Sequence, residues 1–425
     1  MPRLCRAEAK RGRASDLLCG LTLAPRAAER VVAQTGMAGT LRRAAWQRRS
    51  SGGRRGGREH PVRILHLTYS LANGGLERQL SLLARNLPSS YQCRIWSLEG
   101  GPHADAVLAA GIPLTVRPRR ARFDVLPAVD LWRLIRLWRP DVVHAWHWMP
   151  AAAAVPACVA MGIPLIDGSI RMGSVPRSLG RPRRGIMRFA ALVVANSSAG
   201  LAAWRIRSDK GRVIYNAFDD ERLLGALPRR PAAADGDPFT VVMAARMAPP
   251  KDYATLIQAA RLLARSGAAR WRFLLVGDGP ERQALKAESA DLVSSGVVAF
   301  PAGGTEVVDH IRGSGVGLLM SDPAVLAEGC SNSIMEYMAC GLPVVCADSG
   351  GCREIVRDGV SGYVIRPRDP VALAGKLTYL REHPEVRASM GAAGRARIAR
   401  EFTVPRMVGD YVKAYEESTT RRSTT

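Results

Sequence analysis

Twice along this chain, short runs of β-branched and aliphatic residues alternate with stretches of helical periodicity, and a proline-rich segment parts the two series. The first opens with Val62-Arg-Ile-Leu-His-Leu67, after which Leu76, Leu80, Leu83 and Leu87 recur at the spacing of one helix face. Similar runs follow at 93–98, 112–116, 141–146, 164–170, 191–197 and 212–217, with helical or loop sequence between them. Strands separated by such crossovers pair in parallel, which predicts a doubly wound α/β sheet. A second series occupies 239–246, 272–279, 297–302, 316–322, 343–349 and 362–367. Two Rossmann-like domains are therefore expected, at residues 61–226 and 239–383. The linker between them is 227–238, whose three prolines and three alanines carry no apolar period. Helical sequence at 384–418 adds no strand and is expected to pack back towards the first domain.

Composition narrows the class. A chain of 425 residues exceeds one ordinary core, and 47% hydrophobic with 23% charged residues suits a folded, soluble protein. The eight cysteines form no C-x-x-C pair and no cluster with histidine at zinc spacing, so a reduced, cytoplasmic compartment is expected. The richest apolar stretch, Ala151–Ile166, is broken by Pro156, Gly162 and Pro164 and does not span a bilayer. Of the net +24, residues 1–60 hold 14 Lys and Arg against 4 Asp and Glu, or +10. With no apolar period and no signal-peptide core, they read as a disordered tail, or as sequence upstream of a start at Met37. Trp46 alone among aromatics interleaves the basic residues there, so no nucleic-acid partner is expected. Six arginines and no acid lie within Arg171–Arg188, either as a solvated basic loop or as a surface for phosphorylated substrates or an anionic bilayer.

The chemistry concentrates in Glu328-Gly-Cys-Ser-Asn-Ser-Ile-Met-Glu336-Tyr-Met-Ala-Cys-Gly-Leu-Pro343. Ser331 is a good N-cap, Ile334, Met335 and Met338 form an apolar stripe, and Gly341 to Pro343 ends the helix. The N–H groups near Ser331 then point outward at a helix N-terminus, which suits a diphosphate. Fully helical geometry would set the two carboxylates about 12 Å apart, too far for a paired-carboxylate hydrolase and right for gripping two ends of an extended ligand. Arg246 and Lys251 follow a strand end, where two cations can neutralise a leaving diphosphate. Gly277-Asp-Gly279 invites a dinucleotide reading, but Arg282 takes the third glycine position and no acid stands about 20 residues further on.

Taken in order, these motifs resemble those of family 4 of the retaining glycosyltransferases with the GT-B fold. Matching stretches are Asn73-Gly74-Gly75-Leu-Glu77, Val213-Ile-Tyr-Asn216, Arg246-x4-Lys251, Gly277-Asp-Gly279-Pro-Glu-Arg282, the E-x7-E run and Asp358-Gly359-x-x-Gly362, which together cover about residues 62 to 415. The resemblance implies two Rossmann-like domains facing a cleft. It gives Glu328 to the donor hexose, Glu336 to the ribose, and Arg246, Lys251 and the amides of Ser331, Asn332 and Ser333 to the diphosphate. Gly279 would border the base, and Gly74 and Gly75 would lie across the cleft. The implied reaction is metal-independent and cofactor-free, and the leaving phosphate takes the acceptor's proton. A hexose would pass from a nucleoside-diphosphate sugar to a glycan or lipid-linked acceptor, in polysaccharide or glycolipid synthesis. No Asp-x-Asp stands at a strand end to hold a divalent ion. The segment Ser321–Ala327 departs from the family's short Pro-Ser loop.

The family's cleft histidine falls on His144 or His147, or else Met149 occupies that site. His147 is preferred because it lies beyond the strand end. Leu131, Leu134, Ile135 and Trp138 form a stripe flanked by Arg133, Arg136 and Arg139. A Rossmann helix facing the core is the preferred reading, and peripheral contact with the inner face of a membrane is the alternative. Rival functions are a GT-B-like nucleotide-sugar epimerase or hydrolase, and a basic nucleic-acid-binding protein.

Overall fold

The computed structural model describes residues 60–72, 74–121, 123–175, 180–223, 237–267, 270–301 and 307–423. The proposed tail, the start at Met37, Asn73 and nearly all of the proposed linker lie outside the described residues.

Two parallel sheets form. The first holds β1 (Val62–Thr68), β2 (Tyr91–Ser97), β3 (Leu114–Val116), β4 (Val142–Ala145), β5 (Leu165–Ile170), β6 (Leu192–Ala195) and β7 (Gly211–Val213), in the order β3-β2-β1-β4-β5-β6-β7. The second holds β8 (Phe239–Ala244), β9 (Trp271–Val276), β10 (Val298–Ala299), β11 (Val316–Leu319), β12 (Val344–Ala347) and β13 (Gly362–Ile365), in the order β10-β9-β8-β11-β12-β13. Each run of β-branched and aliphatic residues became a strand because helices cover both sheet faces, leaving Ile64, Leu65, Val143, Val242 and Val345 with no exposed surface.

In each sheet the strand order reverses once, between β1 and β4 and between β8 and β11. Loops leaving the strands at such a reversal diverge and open a crevice. These four loops carry nearly all the residues singled out above.

The last helices join the two halves. Phe218 N–H donates to the Phe402 carbonyl at 2.8 Å, after which the helix Val404–Ser423 lies against the first sheet. Its Tyr415 hydroxyl meets His144 Nδ1 at 2.9 Å, and Glu417 is paired with Arg212.

Three points that the sequence left open are decided by the packing. The preferred reading of the helix Leu126–Trp138 holds, because Leu131 and Ile135 of its stripe are fully buried in the core. The run Arg171–Arg188 is not simply a solvated loop, since Arg183 is 4% exposed, donates to Ser169 and stacks over Trp204. The E-x7-E run is not helical throughout, because the helix spans only Asn332–Ala339. Glu328 precedes it in extended backbone, bridged to Met172 and accepting from Gly351 N–H, so the 12 Å separation does not apply. Among the described residues no helix is long and apolar enough to cross a membrane.

Candidate active site

Lys251 and Glu328, 77 positions apart, meet where the loops after β8 and β11 run side by side. Backbone bonds staple those loops: Asp252 N–H to the Met320 carbonyl at 3.1 Å and Asp322 N–H to the Pro250 carbonyl at 3.0 Å. Lys251 Nζ donates to Glu328 Oε1, and the same oxygen accepts from Ser321 Oγ at 2.5 Å. Both charged side chains are mostly buried, so each fixes the other's position. Arg246, five residues earlier, is exposed and has no ion-pair partner among the described residues.

The helix Asn332–Ala339 starts as the sequence predicts. Ser331 is its N-cap, accepting from Ile334 N–H, and Ser333 Oγ donates to the Ala244 carbonyl at 2.6 Å, pinning the first turn to the end of β8. The backbone N–H groups of Ser331, Asn332 and Ser333 meet no acceptor among the described residues, leaving this N-terminus open to an anion. Arg246, Lys251 and Glu328 line a cavity of about 180 Å³, to whose wall Arg171 contributes from the first domain. Gly279 has φ +156°, and a Cβ there would lie 2.2 Å from the Met247 carbonyl oxygen. Its smallness therefore serves this backbone contact, which sets the course of the Arg246 loop.

Across the cleft, His147 follows β4 and caps the helix Trp148–Met161. Its Nδ1 accepts from Tyr69 N–H at 3.1 Å, so the neutral ring carries its proton on Nε2. Burial, and then the nearby Arg171 and Arg183, lower its pKa to about 4, which keeps the ring neutral near pH 7. His144 is fully buried among Tyr415, Tyr411 and Trp146, and burial holds its pKa well below the ordinary value. Met149 lies within the helix that His147 caps.

Glu336 is 6% exposed, and its Oε1 accepts from Arg78 Nη1 of the first domain at 2.6 Å. Around this bridge, Asn332 Oδ1 accepts from Asn216 at 3.1 Å and from Gln79 at 3.3 Å. A Cβ on Gly75 would meet Asn332 Nδ2 at 2.3 Å, so Gly75 admits the facing domain. Gly74 immediately precedes the helix Gly75–Asn86 that supplies Arg78 and Gln79.

Three participants were not picked out from the sequence. Ser321 orients Glu328, Arg78 bonds Glu336, and Arg171 contributes a cation to the cavity wall. Arg171 is held by the Gly168 carbonyl at 3.0 Å, by Tyr411 at 3.4 Å and by stacking over Trp146, with no carboxylate partner among the described residues. The one available signal was that Arg171 opens an acid-free basic run. Among the described residues no group of three or more His, Cys, Asp or Glu is arranged to hold a metal ion.

Comparison with known proteins agrees with this geometry. A family model described as glycosyl transferases group 1 matches residues 228–397, and one described as glycosyltransferase family 4 matches residues 73–222. The D-inositol 3-phosphate glycosyltransferase of Thermomonospora curvata is 32% identical over 313 residues, 64% of this chain and 72% of that one. Its counterpart in Frankia alni is 28% identical over 287 residues, covering 60% and 70%. Among solved structures, HepE of Anabaena in complex with UDP and glucose superposes with a TM-score of 0.71 at 22% identity, covering 84% of this chain and 99% of that one. WaaG, a glycosyltransferase involved in lipopolysaccharide biosynthesis, superposes with a TM-score of 0.61 at 13% identity, covering 83% and 98%. The architecture is thus GT-B.

Proposed function

Because the chain belongs to the glycosyl transferases of group 1, we propose that this glycosyltransferase moves a hexose, with retention, from a nucleoside-diphosphate sugar to a glycan or lipid-linked acceptor, in polysaccharide or glycolipid synthesis. The observation that carries the reading is Lys251, held by Glu328 and Ser321 in a cavity shared with Arg246, close to an open helix N-terminus.

The diphosphate lies against the amides of Ser331, Asn332 and Ser333. Lys251 and Arg246 neutralise the charge that grows on it as the anomeric C–O bond breaks. Glu328 accepts hydroxyls of the hexose and Glu336 those of the ribose. His147 donates its Nε2 proton in a hydrogen bond to the sugar. The acceptor oxygen attacks on the face the diphosphate leaves, and the leaving phosphate oxygen takes its proton, so no cofactor enters the balance and cations do the work of a metal. The binding of UDP and glucose by HepE supports a nucleotide-sugar donor. Arg171, fixed and without a carboxylate, suits an acceptor that carries phosphate, as do the names of the inositol-phosphate relatives.

The test is incubation with a panel of nucleoside-diphosphate sugars and a lipid and glycan extract. Release of nucleoside diphosphate from one donor, with the sugar recovered on an acceptor, is expected. Free sugar alone would make the protein a hydrolase, an altered donor sugar would make it an epimerase, and no release across the panel would remove the reading.

A further inference from the structure

The outward face of the helix Leu126–Trp138, opposite its core stripe, is unusually apolar. Six of the fifteen exposed large apolar side chains among the described residues fall within residues 123–137: Phe123 (85% exposed), Val125 (67%), Leu126 (52%), Val129, Trp132 and Leu137 (83%). The other nine are spread over the rest of the chain, as single exposed apolar residues ordinarily are. Leu126, Val129, Arg133 and Leu137 follow one another at helical spacing, with Trp132 and Arg136 beside them, while Leu131 and Ile135 point into the core. Asp124 shapes the preceding turn, accepting from Arg120 N–H at 2.8 Å and Leu126 N–H at 3.0 Å, so Phe123 and Val125 are presented from a built structure.

Charge decides the occupant. Between Arg117 and Arg139 there are seven arginines and two aspartates, a balance of +5, and Asp130 is occupied by Arg117 at 3.2 Å and Arg133 at 3.7 Å. A protein-binding patch would concentrate its apolar groups and shed charge at the centre. Here arginines are interleaved with aliphatic and aromatic tips, and the Arg136 guanidinium lies over Trp132, the pattern of a helix lying in a lipid headgroup layer. At 13 residues the helix is too short to cross a bilayer. We propose that this face, formed by residues 119–121 and 123–137, docks the protein on an anionic membrane, with the apolar tips in the headgroup and acyl boundary and its arginines on lipid phosphates. Position gives docking a purpose. The Arg119 guanidinium lies over Tyr69 at 5.9 Å, and that ring stands 6.2 Å from His147. The face thus begins beside the cleft, and a lipid-linked acceptor can reach it without leaving the bilayer. Docking itself does not depend on the transfer reaction.

The test is flotation of the full chain with phosphatidylcholine vesicles, with and without phosphatidylglycerol. Flotation is expected with the anionic vesicles only. The variant Phe123→Ser/Leu126→Ser/Leu137→Ser should partition at least about tenfold less, because three inserted apolar side chains are lost. Arg133→Glu/Arg136→Glu should weaken flotation and its salt dependence. Val371→Ser, at an exposed apolar residue elsewhere, should float like wild type. Nucleoside-diphosphate binding and the melting temperature, measured without lipid, should be unchanged in all of them. Wild-type flotation of the triple serine variant, equal flotation with neutral vesicles, or no flotation of the wild type overturns the proposal. Self-association lost in the triple variant without any lipid binding would give the face to a second copy and overturn it too.

Discussion

Arg78 is expected to be a positioning residue for the nucleotide although it comes from the opposite domain. Its guanidinium donates to Glu336 Oε1 at 2.6 Å, with the two side chains 27% and 8% exposed. A carboxylate offers about four acceptor sites, and the Arg78 contact occupies one of them while fixing the carboxylate's plane. A hydrogen bond to a charged group contributes about 1.5–3 kcal/mol. Partial exposure of Arg78 places Arg78→Met near the lower end, about 1.5 kcal/mol, shared between domain closure and carboxylate orientation. If most of that is coupled to binding, nucleoside-diphosphate Kd rises about tenfold. Titration calorimetry on wild type, Arg78→Met, Glu336→Gln and the double variant separates the cases. Arg78 acting through Glu336 requires the double variant to bind no worse than Glu336→Gln alone, with Arg78→Lys partly restoring affinity. Unchanged or tighter binding in Arg78→Met, or fully additive losses, would refute the reasoning.

Lys251→Ala and Arg246→Ala should each lower kcat by about 10² or more, by analogy with removing an electrostatic stabiliser of a developing charge, and near-wild-type turnover in either would remove that residue from the mechanism. Turnover and nucleotide affinity should part company in His147→Ala, with kcat falling while nucleoside-diphosphate Kd holds, because the nucleotide is bound by the other domain; equal losses in both would contradict this. Acid should expose His144, whose folded pKa lies well below 6.5, so the unfolded chain binds the extra proton and stability falls as pH drops below about 6.5. His66, lowered to about 3, titrates the same way, whereas burial raises Asp167 and Glu77 and they oppose it, so the clean readout is a difference. Between pH 5 and 6, denaturant unfolding of His144→Phe should have a slope against pH smaller than wild type by about 1 kcal/mol per unit; identical slopes would show that His144 is protonated in the folded state.

What the sequence made legible follows from range. Buried parallel strands must be apolar on both faces, so their runs read directly, and Lys251 and Glu328 stood out because each lies in a motif after a strand. Their contact through Ser321 did not, since it depends on two loops lying side by side. The sequence placed the helix start at Ser331 but left the backbone unspecified at Glu328. Its extended backbone is imposed by Met172 and Gly351, neither a sequence neighbour. Arg78 and Glu336 are 258 positions apart and meet only because Gly75 and Asn332 let the domains close. In the helix Leu126–Trp138 the core stripe was recognisable, but it drew attention away from Phe123, Leu126 and Leu137, whose exposure only the packed structure reveals.

The central claim is that the leaving diphosphate and the incoming oxygen share one face of the sugar. Proton NMR of slow donor hydrolysis tests it most directly, because water then stands in for the unidentified acceptor and the first-formed sugar is seen before it mutarotates. Retention predicts that an α-linked donor first releases the α-anomer, at a rate that falls in Lys251→Ala. First appearance of the β-anomer would contradict the mechanism.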